Sequence, residues 1–256
     1  MSELAELLEI AKRAALVARD KIMPLYISGT SVELKADRTP VTAADRGAEE
    51  AMRAFFARET PSFGVLGEEF PEQLGDGRHR WILDPIDGTK SFIHHVPLFG
   101  TLVALERDGE PVVGVIACHA VDETVAAADG CGAWHNGAPA HVSDIAQLSQ
   151  ATLLSTSLAR WHARRPASYI ALTRGVGLTR AWGDCYGYLM VATGRAEIML
   201  DPEMSIWDAA ALYPVIREAG GRITTWEGST RVGTSVAATN GVLHDEVLRM
   251  LALDPS

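Results

Sequence analysis

The sequence predicts an α/β protein of mixed α+β type, a single domain over 1–256 built from layered sheets and helices. Three observations carry this reading. Between 63 and 128, β-branched and apolar runs are separated by turns too short for crossover helices, so their strands pair antiparallel. After 150, strand-like and helix-like runs alternate. No linker, repeat or low-complexity stretch divides an N-terminal α+β part (about 1–145) from a C-terminal α/β part (about 146–256).

Leu4, Leu7, Leu8, Ala11, Ala15, Leu16 and Ile22 fall at helical spacing and predict a first helix over 2–27. After Gly29, SVELK at 31–35 reads as a short strand. Thr42, with Asp45 three residues on, is close to a capping box and starts a helix over 42–59. Strands follow at Phe63–Leu66, Arg80–Asp84, Gly100–Glu106, Pro111–Cys118 and Glu123–Ala128, the last three as an antiparallel meander. ATLLSTS begins the second part as a strand, followed by a helix at 160–174 and the strand LTRAW at 178–182. A helix near 184–193, a strand at Ala196–Leu200 and a helix at 205–219 come next, the last stopped by Gly220-Gly221. The strands ITTW and SVAAT and a helix over 244–252 complete the order.

Composition narrows the function. Lys plus Arg number 23 against 33 Asp plus Glu, a net charge of −10 that repels polyanions and predicts no nucleic-acid partner. No apolar run approaches the roughly 18 residues of a membrane span, and MSELAELLEI lacks the basic and apolar regions of a signal peptide. Cys118, Cys131 and Cys185 are odd in number and lack CxxC spacing, which fits reduced thiols in the cytoplasm.

The most informative stretch is WILDPIDGTKSF at 81–92. An apolar strand delivers Asp84, Pro85 is expected to stop the ladder, and Asp87-Gly88-Thr89 turns the chain. Two carboxylates this close oppose joint ionisation, a conflict that a divalent cation removes. The Gly88 and Thr89 amides could meet a phosphate. A capped turn with solvated aspartates stays open for this segment alone. Glu68-Glu69, after Gly67, reads by itself as a solvated charge pair, and Asp208 as a first-turn aspartate complementing a helix dipole. Three acidic sites at element ends weaken those separate explanations.

GEE at 67–69, DPIDGT at 84–89 and WDAAA at 207–211 resemble the three metal-binding signatures of the inositol monophosphatase superfamily, and KADRTPVTAADRGAE at 35–49 resembles its N-terminal motif. The resemblance runs from about residue 4 to 252, with the motifs in the family's order. DPIDGT also looks like the DxDGT motif of haloacid-dehalogenase phosphatases, but there the aspartates are two apart and near the chain start. The resemblance implies a layered α-β-α-β-α sandwich and a phosphomonoesterase using two or three Mg²⁺ ions, with Mn²⁺ as a substitute. Asp84 would bridge two ions; Glu68 and the Ile86 carbonyl would complete the first, Asp87 and Asp208 the second. Glu68 would also help hold a weaker third. Asp45 and Thr89 would orient the attacking water, with Glu68 counted among the catalytic groups, and the Gly88 and Thr89 amides would hold phosphate oxygens. A homodimer is implied as well.

RAWGDCYGYLMVATGRAEIMLDPEMSIWDAAAL at 180–212 resembles the histidinol-phosphatase branch more than the inositol branch. The implied substrate is L-histidinol phosphate, with inositol-1-phosphate or a sugar phosphate as the alternative. A cationic leaving group favours carboxylates. Asp184 and Asp201 are therefore the expected substrate contacts, with Glu203 a further candidate and Arg180 balancing the acids or meeting the phosphate. An N-cap is the competing role for Asp184. His94-His95 are expected as solvated or loop-packing residues, the cysteines as small buried ones, and Ser91 receives no role.

Overall fold

The computed structural model describes residues 2–34 and 40–254; Lys35–Thr39, the start of the 35–49 motif and the end of the expected 31–35 strand, lie outside the described residues. The chain opens with α1 (Glu3–Ser28), whose N-terminus is capped by the Ser2 hydroxyl accepting the Ala5 N–H at 3.2 Å. Strands β1 (Val32–Leu34) and β2 (Pro40–Thr42) pair antiparallel and lead into α2 (Ala43–Glu59), which the Thr42–Asp45 capping box starts.

Next come β3 (Gly64–Gly67), β4 (His79–Asp87), a short α3 (Thr89–Ile93), β5 (Gly100–Arg107), β6 (Glu110–Cys118), β7 (Glu123–Ala128), β8 (Ala133–His135) and β9 (Ala138–Pro139). They form a seven-stranded sheet in sequence order, antiparallel except for the β3–β4 pair. The second part runs β10 (Thr152–Leu154), α4 (Leu158–Arg164), α5 (Pro166–Gly175), β11 (Leu178–Arg180), α6 (Asp184–Ala192) and β12 (Ile198–Asp201). It closes with α7 (Ile206–Ala209), α8 (Leu212–Glu218), β13 (Arg222–Thr224), β14 (Val236–Thr239) and α9 (His244–Leu251). Its five strands lie in the order β11-β10-β12-β14-β13, with β10 parallel to both β11 and β12.

Strand alternation sorts the side chains into three apolar cores and five layers. Trp81, Leu83, Val103 and Val115 face α1 and α2, whose Ala11, Ala18, Met52 and Phe56 fill the other side. Ile82, Leu102, Ala104 and Ile116 face the opposite way, onto Leu189 of α6 and Leu212, Val215 and Ile216 of α8. Met199 and Ala238 of the five-stranded sheet join that same core. Leu153, Ile198, Leu200 and Ala237 point outward onto Trp161, Leu172, Val247 and Leu251 of α4, α5 and α9. The order is α-β-α-β-α, as the resemblance implied.

Three prolines account for the largest differences from the sequence reading. Pro85 does not stop its strand: β4 continues to Asp87, and the ladder to β5 skips from Asp84 to Asp87 in a local irregularity. The expected 160–174 helix is two, because Pro166 starts α5 afresh at its first position. The expected 205–219 helix divides into α7 and α8, since Pro214 has no N–H to give the Ala210 carbonyl. The turn between α7 and α8 presses on β6, where a Cβ on Gly114 would lie 2.1 Å from the Ala211 carbonyl oxygen. The sequence reading also lacked β2, β8 and β9, which are three residues long or fewer.

Candidate active site

The parallel strands set the location. β3 and β4 end at Gly67 and Asp87, and β10, β11 and β12 end at Leu154, Arg180 and Asp201. The two sets of carboxyl ends meet where α6 begins, since the Cys185 N–H donates to Asp87 Oδ2. Crevices at the carboxyl ends of strands are where open α/β sheets bind ligands.

Asp84, Asp87 and Asp208 each bring a carboxylate oxygen within 4.8 Å of the others. Asp84 and Asp87 flank the irregularity in β4; Asp208 is held from below by the Ser205 N–H at 2.8 Å in the capping box of α7. Asp84 is buried, and its Oδ1 has no hydrogen-bond partner among the described residues. Burial lifts the Asp84 carboxyl well above its usual range, and Glu68, Asp87, Asp208 and Asp45 push it further. Asp87 is raised well above its usual range by burial and then by Asp184 and Asp208, against the Cys185 N–H. Asp208 is raised to about 6, by burial first, with Glu68 adding to it and the Ser205 N–H opposing. Glu68 thus acts electrostatically on Asp45, Asp84 and Asp208. Without a cation this is a group of carboxylates that discourage one another from ionising.

Asp45, in the first turn of α2, is buried, with Oδ2 accepting the Thr42 N–H at 2.7 Å and the Thr42 hydroxyl at 2.6 Å. Its Oδ1 lies 3.5 Å from Thr89 Oγ1, which is also 3.0 Å from the Ile86 carbonyl. Gly88 stands between Asp87 and α3 with φ +86°, and a Cβ there would lie 3.0 Å from Asp184 Oδ2. Backbone angle and space both call for glycine.

Asp184 opens α6 in the left-handed region, φ 51°, with its N–H donated to Thr156 Oγ1 at 2.9 Å. It is not the cap of α6, a position that Gly183 holds. Ser91 Oγ lies 3.4 Å from Asp184 Oδ2, and burial with the nearby Asp201 charge raises the carboxyl to about 6. Asp201 lies behind it, buried, with Oδ1 accepting the Thr156 N–H at 2.9 Å. Its Oδ2 accepts the Thr156 hydroxyl at 3.0 Å and the Tyr188 hydroxyl at 2.9 Å. Glu203 is exposed and paired with Arg160 at 2.8 Å, and the exposed Arg180 gives Nη1 to the Thr179 carbonyl. The structure therefore gathers Asp45, Asp84, Asp87, Gly88, Thr89, Asp184 and Asp208, leaving the exposed Arg180 and Glu203 outside that group.

A sequence model of the inositol monophosphatase family matches residues 3–252. The chain belongs to the inositol monophosphatase family. It is 45% identical over 229 residues to the histidinol-phosphatase of Mycobacterium tuberculosis, covering 86% of this chain and 87% of that one. With the histidinol-phosphatase of Chlorobaculum parvum it shares 41% over 243 residues, 92% of this chain and 91% of the relative. The extragenic suppressor protein suhB of Bartonella henselae superposes with a TM-score of 0.90 at 30% identity, covering 96% of this chain and 98% of that one. By family, then, the protein is a phosphoric monoester hydrolase.

Two supports of this inositol monophosphatase-family site escaped the sequence reading. Thr101 Oγ1 donates to the Pro85 carbonyl at 2.8 Å and lies 3.0 Å from His119 Nε2, all buried beneath the 84–89 segment. Since the threonine proton goes to a carbonyl, His119 Nε2 carries the ring proton. Thr156 ties Asp184 to Asp201. Neither threonine belongs to a motif, and only the pairing of strand ends across the fold reveals them. His94 Nδ1 lies 2.8 Å from the Lys90 carbonyl, and the His95 ring packs on Tyr26 at 5.5 Å. Cys118 and Cys185 are buried free thiols whose sulfurs lie 3.9 Å apart in a hydrogen bond, while Cys131 is only half-buried.

Proposed function

We propose that the protein is a Mg²⁺-dependent phosphomonoesterase hydrolysing L-histidinol phosphate to L-histidinol and phosphate. The observation that carries the metal chemistry is the buried, partnerless Asp84 Oδ1 among carboxylates that oppose one another's charge. An all-oxygen donor set of this kind suits a hard divalent cation. Asp84, Asp87, Asp208, Glu68 and the Ile86 carbonyl would hold two or three ions, of Mg²⁺ or of Mn²⁺. Bound there, the cation supplies charge neutralisation at the phosphoryl group and a water that loses its proton near neutral pH.

The chain's own groups supply the rest. Thr89 Oγ1 has one proton and reaches both the Ile86 carbonyl and Asp45 Oδ1. Turned toward Asp45, it leaves its lone pairs to receive a hydrogen bond from the attacking water and passes proton density to the carboxylate. Burial raises the Asp45 carboxyl, which makes it a better proton acceptor than an exposed aspartate. The Gly88 and Thr89 amides would hold phosphate oxygens. On the leaving-group side, Asp184 would take the substrate ammonium or imidazole in a charge-assisted hydrogen bond. Asp201 would act on it through Thr156. Arg180 and Glu203 are the outer candidates for substrate contact. The unit proposed is one domain over 1–256, cytoplasmic and homodimeric, and the dimer carries no step.

The test is phosphate release by purified protein with Mg²⁺ from histidinol phosphate, inositol-1-phosphate, fructose-1,6-bisphosphate and adenosine 3′,5′-bisphosphate. A preference for histidinol phosphate of about tenfold or more in kcat/KM, about 1.4 kcal/mol, is expected. Preference for inositol-1-phosphate moves the assignment to the alternative, and release that needs no divalent cation overturns the metal assignment.

A further inference from the structure

Glu49 is outside the carboxylate cluster, yet its side chain is fully buried. It lies one turn after Asp45 on α2, on the same helix face. Its Oε2 accepts the Glu69 N–H at 2.8 Å, and its Oε1 accepts Arg53 Nε at 2.8 Å, one further turn along. Arg53 reaches on to the Phe70 carbonyl at 3.1 Å and lies over the Phe70 ring at 5.9 Å. Gly67 completes the contact: a Cβ there would lie 2.1 Å from Glu49 Oε1. Residues 67, 69 and 70 are thus all held against α2, and Glu68 is the residue between them.

We propose that Glu49 and Arg53 are positioning residues that fix the turn carrying Glu68, so that one face of α2 sets both halves of the site. Asp45 meets Thr89 one turn from where Glu49 pins the Glu68 segment. The inference rests on the metal reading above and adds to it a determinant of cation affinity that touches no cation. A buried carboxylate costs desolvation that an apolar side chain of similar volume avoids. What the carboxylate adds, and an apolar side chain lacks, is a fixed acceptor for the Glu69 N–H and for Arg53. Those bonds bear on the Glu68 turn rather than on the packing of α2.

The test is Mn²⁺ binding to metal-stripped protein by calorimetry, with kcat at saturating metal measured alongside. Glu49→Ala is expected to weaken Mn²⁺ binding about tenfold or more, 1.4 kcal/mol by the usual conversion, with kcat at saturation within about threefold of wild type. Glu49→Gln keeps an oxygen for the Glu69 N–H and recovers part of the affinity. Gly67→Ala crowds Glu49 Oε1 with every carboxylate in place, and it weakens binding as Glu49→Ala does. Unchanged affinity in folded Glu49→Ala and Gly67→Ala overturns the proposal, leaving any loss of melting temperature to packing alone. Should Glu49→Ala fail to fold, Gly67→Ala and Arg53→Gln decide in the same assay. If the wild-type protein itself takes up no Mn²⁺, the metal reading fails and the proposal falls with it.

Discussion

Asp84 and Asp201 each sit toward the carboxyl end of a strand, one in each sheet, and both are buried, at 2% and 3% exposure. Their surroundings are opposite. Asp201 has three donors on its two oxygens, from Thr156 and Tyr188. Asp84 has an Oδ1 without a hydrogen-bond partner among the described residues, and the charges of four other acids against it. An unsatisfied buried polar atom costs about 1–3 kcal/mol, and more when charged. Burial alone therefore does not distinguish the two carboxylates; the missing donor together with the surrounding negative charge does. On the function proposed above, Asp201 would serve as framework for Asp184, and Asp84 would take a cation as its missing partner.

The comparison breaks most decisively at Asp84. Asp84→Asn is expected to lower kcat/KM for phosphate release on the order of 10³-fold, about 4 kcal/mol. The metal-free variant should unfold in urea at no lower midpoint than wild type, because the amide removes a charge that its neighbours repel. Adding Mg²⁺ should raise the wild-type melting temperature and leave that of the variant nearly unmoved. Activity within about tenfold of wild type would end the metal role of Asp84.

The same question, who satisfies a buried group, can be put to His244. Thr224 gives its proton to the Thr225 carbonyl at 2.7 Å, so it accepts from His244 Nε2, while Thr239 lies 3.0 Å from Nδ1. The neutral ring is fully used. Burial lowers the His244 pKa from 6.5 to about 4. The unfolded chain takes up this proton as pH falls through 6.5, and the native protein does so only near 4, so stability is lost as pH falls across that window. Relative to His244→Gln, wild type should lose up to about 3 kcal/mol between pH 6.5 and 4 in urea titrations. Subtracting the variant cancels the acids of the site. A flat difference would mean the ring is not held neutral.

At Asp201 the expected effect is smaller and of another kind. Asp201→Asn leaves one acceptor oxygen for three donors and should cost about 2 kcal/mol of stability. The loss should be the same with and without Mg²⁺. A loss that appears only with metal would move Asp201 into the coordination shell and dissolve the contrast with Asp84.

How much of this was legible in the sequence depends on the range of the interaction. Asp45, Glu68, Asp84, Asp87 and Asp208 stand in short motifs; Asp45 and Asp208 are each set by their own capping box, and the one at Thr42 was readable as such. Layered sheets and helices followed from the alternation of strands with helices, and their five-layer order from the resemblance. Pro85 misled because a proline tolerated at an irregularity reads locally as a strand end. Pro166 and Pro214 each broke a helix whose apolar spacing runs on unbroken through them. The pairs Thr101–Pro85, Thr156–Asp201 and Glu49–Glu69 join residues 16, 45 and 20 positions apart. No periodicity records contacts of that kind, and only the register of the sheets and the packing of α2 bring them together.

Asp184 separates the specificity claim from the metal claim, with the smallest expected effect of the four. It touches neither Thr89 nor Asp208 in the hydrogen bonds it makes; its partners are Ser91 and Thr156. Burial raises it to about 6, so it is ionised through most of the range above that, and a cationic leaving group would hold the charge on it. Asp184→Asn keeps the size and the N–H to Thr156 and removes only the charge. Histidinol phosphate should then lose about tenfold in kcat/KM, near 1.4 kcal/mol, while inositol-1-phosphate changes by less than about twofold. An equal loss on both substrates would show that Asp184 acts by placing Gly88 and Asp87, whose neighbours it crowds, and not by reading the cation.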